Sequence, residues 1–323
     1  MEDLDLRLVR YFVALADELH FGRAAARLFI SQQTLSSQIA KLESDLGVTL
    51  LDRTGRQARL TPAGQRFLQE SRALLAQARR SVDEVRAAQQ VVRAASINDH
   101  IDTVPRSLET CRRLFPHLRV EMILAPVPEQ VRMVQSGELD VAMGRAYRIP
   151  SGLRCHPFRL DRAHVIASRQ HALGVSDEPL PWRGLDAVGV QVPPARYAPQ
   201  LTSFLEELKT ARQLSLRVAP TGSTSLDLSL QQLTRDDVVQ LGFDSFHVQS
   251  DVVSKRLLLE PVALYVWSAM WRSGNELPAL LNFLAATRAA SDEYHWMNPP
   301  LPLDVWLPSA DVAALPAAIR LNS

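Results

Sequence analysis

Cysteine is nearly missing from this chain of 323 residues: there are two, Cys111 and Cys155, and no CxxC pair. That excludes a disulfide scaffold and suits a reducing compartment. Long apolar runs are also missing. Stretches such as residues 262–266 fall far short of the roughly 20 residues a membrane helix needs. Residues 1–8 are acidic and carry no apolar signal core, so a cytoplasmic protein with no membrane partner is expected. No sign of charge dominates, because 36 Lys and Arg face 35 Asp and Glu; any nucleic-acid signal must therefore be local. Nucleophile elbow, P-loop and HExxH spacings are absent as well. His164, His171, Asp161 and Cys155 lie close in sequence without forming any of them. No catalytic residue, cofactor or metal is expected.

What is present is an ordinary globular composition, 46% hydrophobic and 22% charged, in a chain long enough for two or three domains. Leu6, Val9, Phe12 and Leu15–Ala16 recur at helical spacing, and residues 21–28 form a short Ala-rich helix that lets another helix approach closely. Ser31 is an N-cap for a third helix, whose stripe Leu35, Ile39, Leu42 and Leu46 ends at Gly47. The polar face of this helix bears Ser31, Gln32, Gln33, Thr34, Ser36 and Ser37. Short amides and hydroxyls suit base edges, since Gln pairs bidentately with adenine and Ser or Thr with several bases. A plain polar face on a bundle helix is the alternative. Residues 49–60 read as a hairpin carrying Arg53, Arg56 and Arg59. Residues 21–66 hold seven basic side chains, Arg23 among them, against three acidic ones. Such a local surplus matches phosphate contacts. Thr61-Pro62 then opens a helix expected over residues 62–90, with Phe67, Leu74, Ala78, Val82 and Val85 on an apolar face. That face calls for a partner, and a second copy of the chain would let two reading heads meet two half-sites.

The runs Arg10-Tyr11-Phe12-Val13-Ala14, residues 21–28, Ile30-Ser31-Gln32, Leu35-Ser36, Leu46-Gly47, residues 53–56 and Leu60-Thr61-Pro62-Ala63-Gly64 resemble the LysR-type transcriptional regulators almost position by position. The resemblance spans about residues 4–290. It implies an α+β multidomain protein: a winged helix-turn-helix over 1–61, a linker and dimerisation helix over 62–90, and a periplasmic-binding-protein-like α/β effector module over 91–297. The module's first subdomain would hold about 91–162 and 268–297, the second about 163–267. Double-stranded operator DNA, a small-molecule effector, self-association as dimer or tetramer, and contact with RNA polymerase are what the family implies for partners. Gln33 replaces a common proline and Ser37 a common arginine, so the operator sequence does not carry over.

Past residue 90 short apolar runs alternate with helices, as in an α/β sheet. Residues 164–173 resemble the crossing into the second subdomain, 264–272 the return strand, and 276–288 the closing helix. Ligands in open α/β sheets sit beyond the carboxyl ends of the strands. The loops there would be 96–102, 144–149, 192–197 and 221–225, which makes Ser96, Asn98, Asp99, His100, Arg145, Arg196, Thr221, Ser223 and Thr224 the candidate effector ligands. The hydroxyl-rich turn before a helix near residue 226 would suit an anion. Asn98-Asp99-His100 departs from the small hydroxyl residue that relatives place there. A ligand-independent regulator with a degenerate cleft is therefore an alternative, and redox sensing through Cys111 and Cys155 is another. A transporter's solute-binding protein would share only the second half. Residues 298–323 form a proline-rich tail with no counterpart in the family pattern; Trp306 and residues 312–315 suggest that it docks.

Overall fold

The computed structural model describes residues 4–52, 59–87, 90–97, 101–220, 233, 238–248, 251–302 and 304–315. Two compact units emerge, Met1–Ala88 and Gln89–Ser323.

In the first unit, Asp5 caps α1 (Leu6–Glu18) by accepting the Arg7 amide at 2.7 Å. Its apolar face packs on α2 (Phe21–Arg27), where Ala24 and Ala25 are buried and keep the helices close. Ser31 caps α3 (Gln32–Leu46) by accepting the Thr34 amide at 3.0 Å, and Gly47, at φ +67°, ends it in the left-handed region that glycine tolerates. Leu35, Ile39 and Leu42 are fully buried, as their spacing requires. Strands β1 (Leu51–Asp52) and β2 (Arg59–Leu60) pair antiparallel, Leu51 opposite Leu60, and form the base of the wing. Helix α4 (Pro62–Ala87) is opened by Thr61, whose Oγ1 accepts the Gly64 amide at 3.0 Å. A Cβ at Gly64 would fall 2.1 Å from the Leu50 carbonyl oxygen, so only glycine lets α4 seat against the wing. The helix is shorter than the expected 62–90. Gln90, at φ +51°, is left-handed, and its carbonyl accepts the Arg119 amide in the second unit's sheet.

The second unit runs β3 (Val91–Ser96), α5 (Thr103–Leu114), β4 (Arg119–Leu124), α6 (Val127–Ser136), β5 (Val141–Gly144) and β6 (Leu153–Ser168). It continues through β7 (Leu180–Pro181), β8 (Gly189–Val192), α7 (Pro199–Arg212), β9 (Arg217–Pro220), β10 (Val238–Phe243), β11 (Val253–Leu259) and β12 (Val262–Arg272). Helix α8 (Pro278–Glu293), β13 (Val305–Trp306) and α9 (Ser309–Ala314) complete it. Strand order is β4-β3-β5-β12-β6-β10-β8-β9, with β3, β4 and β5 parallel in one lobe and β8, β9 and β10 parallel in the other. Strand β6 joins the lobes: residues 153–162 pair with β12 and residues 163–166 with β10.

The crossing expected at residues 164–173 therefore begins earlier, at Leu153, and ends at Ser168. Its first half carries Arg154, Arg159, Asp161 and Arg162, which do not read as a buried strand until their partners are known. The tail docks as well. Strand β13 pairs parallel with β12, Val305 opposite Val262. Leu315 is buried with Leu160, Val262, Leu264 and Val266.

Candidate DNA-reading face and effector crevice

Each unit carries its own candidate site. On the first, the α3 stripe fixes the helix against α1 and α2, and its opposite face is left to solvent. Ser31, Gln32, Gln33, Thr34 and Ser37 are exposed and Ser36 is half-buried. Local bonds tie up three of them: the Ser31 and Thr34 hydroxyls lie 2.7 Å apart, and Ser37 Oγ donates to the Thr34 carbonyl at 2.9 Å. Among the described residues, no hydrogen bond holds the side chains of Gln32, Gln33 or Ser36. Arg23 is exposed on α2, its Nη2 donating to the Glu18 carbonyl at 2.7 Å. Arg53 and Arg56 lie outside the described residues. Sequence reasoning missed Glu43, whose carboxylate accepts the Leu50 and Leu51 amides at 2.8 and 3.0 Å and pins the wing to α3. An acid eight residues before the start of a strand gives no local signal of that role.

The α4 face divides. Phe67 turns inward onto Phe12, with ring centroids 5.2 Å apart, and so packs in its own unit rather than along the free stripe. Leu74 and Val82 are exposed, 39% and 45%, with Ala78 half-buried between them. The Val85 side chain lies outside the described residues.

In the second unit Ser96 ends β3 fully buried, and its Oγ has no hydrogen-bond partner among the described residues. Asn98, Asp99, His100, Thr221, Ser223 and Thr224 lie outside those residues. The two arginines proposed for the crevice part company. Arg196 is exposed, its guanidinium 4.7 Å from the Tyr197 ring centroid. Arg145, directly after β5, is 1% exposed and already engaged. Its Nε donates to Asp311 Oδ2 and its Nη1 to the Gln200 carbonyl, both at 2.8 Å. Burial pushes the Asp311 carboxyl above its ordinary value although Arg145 pulls the other way.

Between the lobes lies a second ionic group that the sequence did not reveal. Arg159 donates to Asp161 and, at 2.6 Å, to Asp102, while Asp161 accepts from Trp267 Nε1 at 2.8 Å and from the Ser245 amide. Asp102 precedes α5 and its amide donates to the Ser245 carbonyl, so this group spans both lobes. Nearby, burial alone would raise Asp244, but the fork of hydrogen bonds from Arg162 holds it below its ordinary value. Burial pushes both thiols, Cys111 and Cys155, upward, which is unfavourable to the thiolate that redox sensing needs.

A winged helix-turn-helix unit followed by a two-lobed α/β unit with a crevice defines a transcription regulator with an effector domain. Residues 6–65 match the model of the bacterial regulatory helix-turn-helix protein, lysR family, and residues 89–292 that of the LysR substrate binding domain. The chain belongs to the LysR family of DNA-binding transcriptional regulators. It is 30% identical over 253 residues to the regulator TfdS of Cupriavidus pinatubonensis, covering 72% of this chain and 85% of that one. To ClcR of Pseudomonas putida it is 30% identical over 234 residues, 66% and 80% of the two chains. The solved structure of CbnR, a LysR family regulator, matches with a TM-score of 0.55 at 22% identity over 89% of this chain and 99% of that one. Full-length BenM matches at 0.53 and 23%, over 92% and 100%. At such identities these two speak for the fold. Among the described residues no helix is long and apolar enough to cross a membrane.

Proposed function

We propose that this regulator reads its operator with the Gln32, Gln33 and Ser36 face of α3 and binds as a dimer through the Leu74–Ala78–Val82 stripe of α4. The observation that carries the first half is the exposed, unbonded amide pair at the start of a helix whose other face is locked into the core. Arg23, Arg53 and Arg56 serve the phosphate backbone. The structure of full-length CbnR complexed with its target DNA supports the same use of this unit. The protein acts in the cytoplasm and catalyses no reaction; RNA polymerase is the partner through which it changes transcription. A small polar or anionic effector binds beyond the carboxyl ends of β3 and β5, where Ser96 brings a buried hydroxyl. The engagement of Arg145 by Asp311 favours a second reading, in which the crevice is closed to any effector.

Gel-shift titrations of Gln32→Ala and Ser36→Ala on the natural operator and on random DNA test the reading face. Each lost base contact should cost about 1–3 kcal/mol on the operator and little on random DNA. Equal, unchanged affinities for both DNAs would move the reading face elsewhere.

A further inference from the structure

Asp311 stands in a position that the family pattern leaves open. The effector-domain match ends at residue 292, whereas the carboxylate that neutralises Arg145 comes from the tail, 19 residues further on. Arg145 leaves the carboxyl end of β5, the side of a parallel sheet where ligands gather. Its guanidinium reaches from one lobe to the Gln200 carbonyl of α7 in the other. The Nε side of the same guanidinium is taken by one side-chain carboxylate, Asp311, carried on the chain's own C-terminal segment.

We propose that Arg145, with the Gln200 end of α7, is a carboxylate-binding site occupied internally by Asp311, so that a carboxylate-bearing effector must compete with the tail. The proposal rests on the effector-responsive reading above and names the chemical class of the ligand.

Leu315 anchors the end of the tail in the cluster of Leu160, Val262, Leu264 and Val266, and the remaining attachments are slight enough for Asp311 to leave. Strand β13 contributes two residue pairs to the edge of β12. The Arg212–Asp304 ion pair, 2.9 Å, is solvent-exposed and therefore weak. Trp306 meets Phe204 edge-on at 5.4 Å, and beside it a groove of about 510 Å³ lined by Ser203, Glu206, Glu207 and Leu307 separates tail from helix. Burial and the charge of Glu207 both oppose the Asp311 carboxylate, and among the described residues Arg145 is the cation that offsets them. Removing either partner of a buried pair is costly, because the other is left uncompensated. A free carboxylate can repay that cost once its concentration offsets the tethering advantage of Asp311. When it arrives, Asp311 must withdraw, and α9 and Leu315 lose their seat over β6 and β12. A crevice event is thereby turned into release of the tail.

Acetate reproduces the Asp311 side chain beyond its Cα and serves as the probe, in the full-length protein without DNA. Asp311→Ala should lower the Tm by about 5 °C or more. Sodium acetate should restore the loss saturably while sodium chloride at equal ionic strength does not, and Arg145→Met in the same chain should abolish the rescue. Asp311→Asn keeps the shape and the fold but should raise hydrogen exchange of the residue 309–315 amides several-fold. Acetate no better than chloride, rescue that survives without Arg145, or unchanged exchange in Asp311→Asn would each overturn the proposal. None of these readouts involves operator binding. A negative acetate result therefore removes the tail's role, while a metabolite that raises the wild-type Tm without raising exchange at residues 309–315 would leave the effector-responsive reading standing.

Discussion

His164 lies 3.6 Å from Asp244, close enough to resemble an ion pair. Burial overrides the carboxylate, and the imidazole is pushed down to about 4, with the charges of Lys255 and Arg162 adding to the effect. Its Nδ1 meets the Arg162 carbonyl at 2.9 Å, a contact that the neutral tautomer can donate. The sign of the linkage follows. Unfolded histidine titrates near 6.5, so the fold holds its full stability above that pH and loses it as pH falls toward about 4. On the order of 3 kcal/mol is involved. Urea unfolding at pH 7.5 and 4.5 should show the loss in the second unit, and His164→Gln should reduce the difference. An identical pH dependence in the variant would show that other groups dominate.

At the level of elements, what the sequence made legible was whatever local chemistry decides. The Ser31 cap, the Gly47 stop and the Thr61-Pro62 start each depend on a few adjacent residues, and each stands as read. The start of β6 was misplaced because its charges are satisfied far away: Arg159 by Asp102, and Arg162 by Asp244. The tail gave aromatic and apolar signals of docking, but nothing near Asp311 announced a partner 166 residues earlier. Of the effector candidates, Ser96 is legible as a strand end, whereas Arg145 does follow a strand end but is unexpectedly paired with Asp311. For α4, periodicity found the stripe but not its division, since only the packed fold shows that Phe67 belongs to Phe12. Leu74 and Val82 remain outward, and a carboxylate between two copies would be buried unpaired. Leu74→Glu should therefore dissociate the dimer and remove most operator affinity, because the second half-site is then no longer bound at high effective concentration. Sedimentation velocity on that variant gives the answer directly; an intact oligomer places the contact elsewhere.

On the scale of the whole molecule, the two units have separate cores. One is built around Phe12, Leu35 and Ile39, the other around Trp182, Phe204 and Phe283. A chain of residues 90–323 should thus unfold cooperatively by itself, as followed by circular dichroism, and should not bind the operator. A broad, non-cooperative transition would mean that the first unit supports the second. The two cores also differ in when they can be finished. The first unit is complete once its own contiguous stretch of chain has been made. In the second, β5 can pair with β3 early but cannot acquire its other neighbour until β12 exists, since Gly144 pairs with Ser268, roughly 120 residues downstream. Helix α5 likewise waits for α8, where Glu293 meets Arg113. At about 5–20 residues per second on the ribosome, that interval leaves half a sheet without its central strand for several seconds. The nascent polypeptide should therefore emerge with its DNA-reading head already folded while the first lobe of the effector domain still waits for β12 and α8.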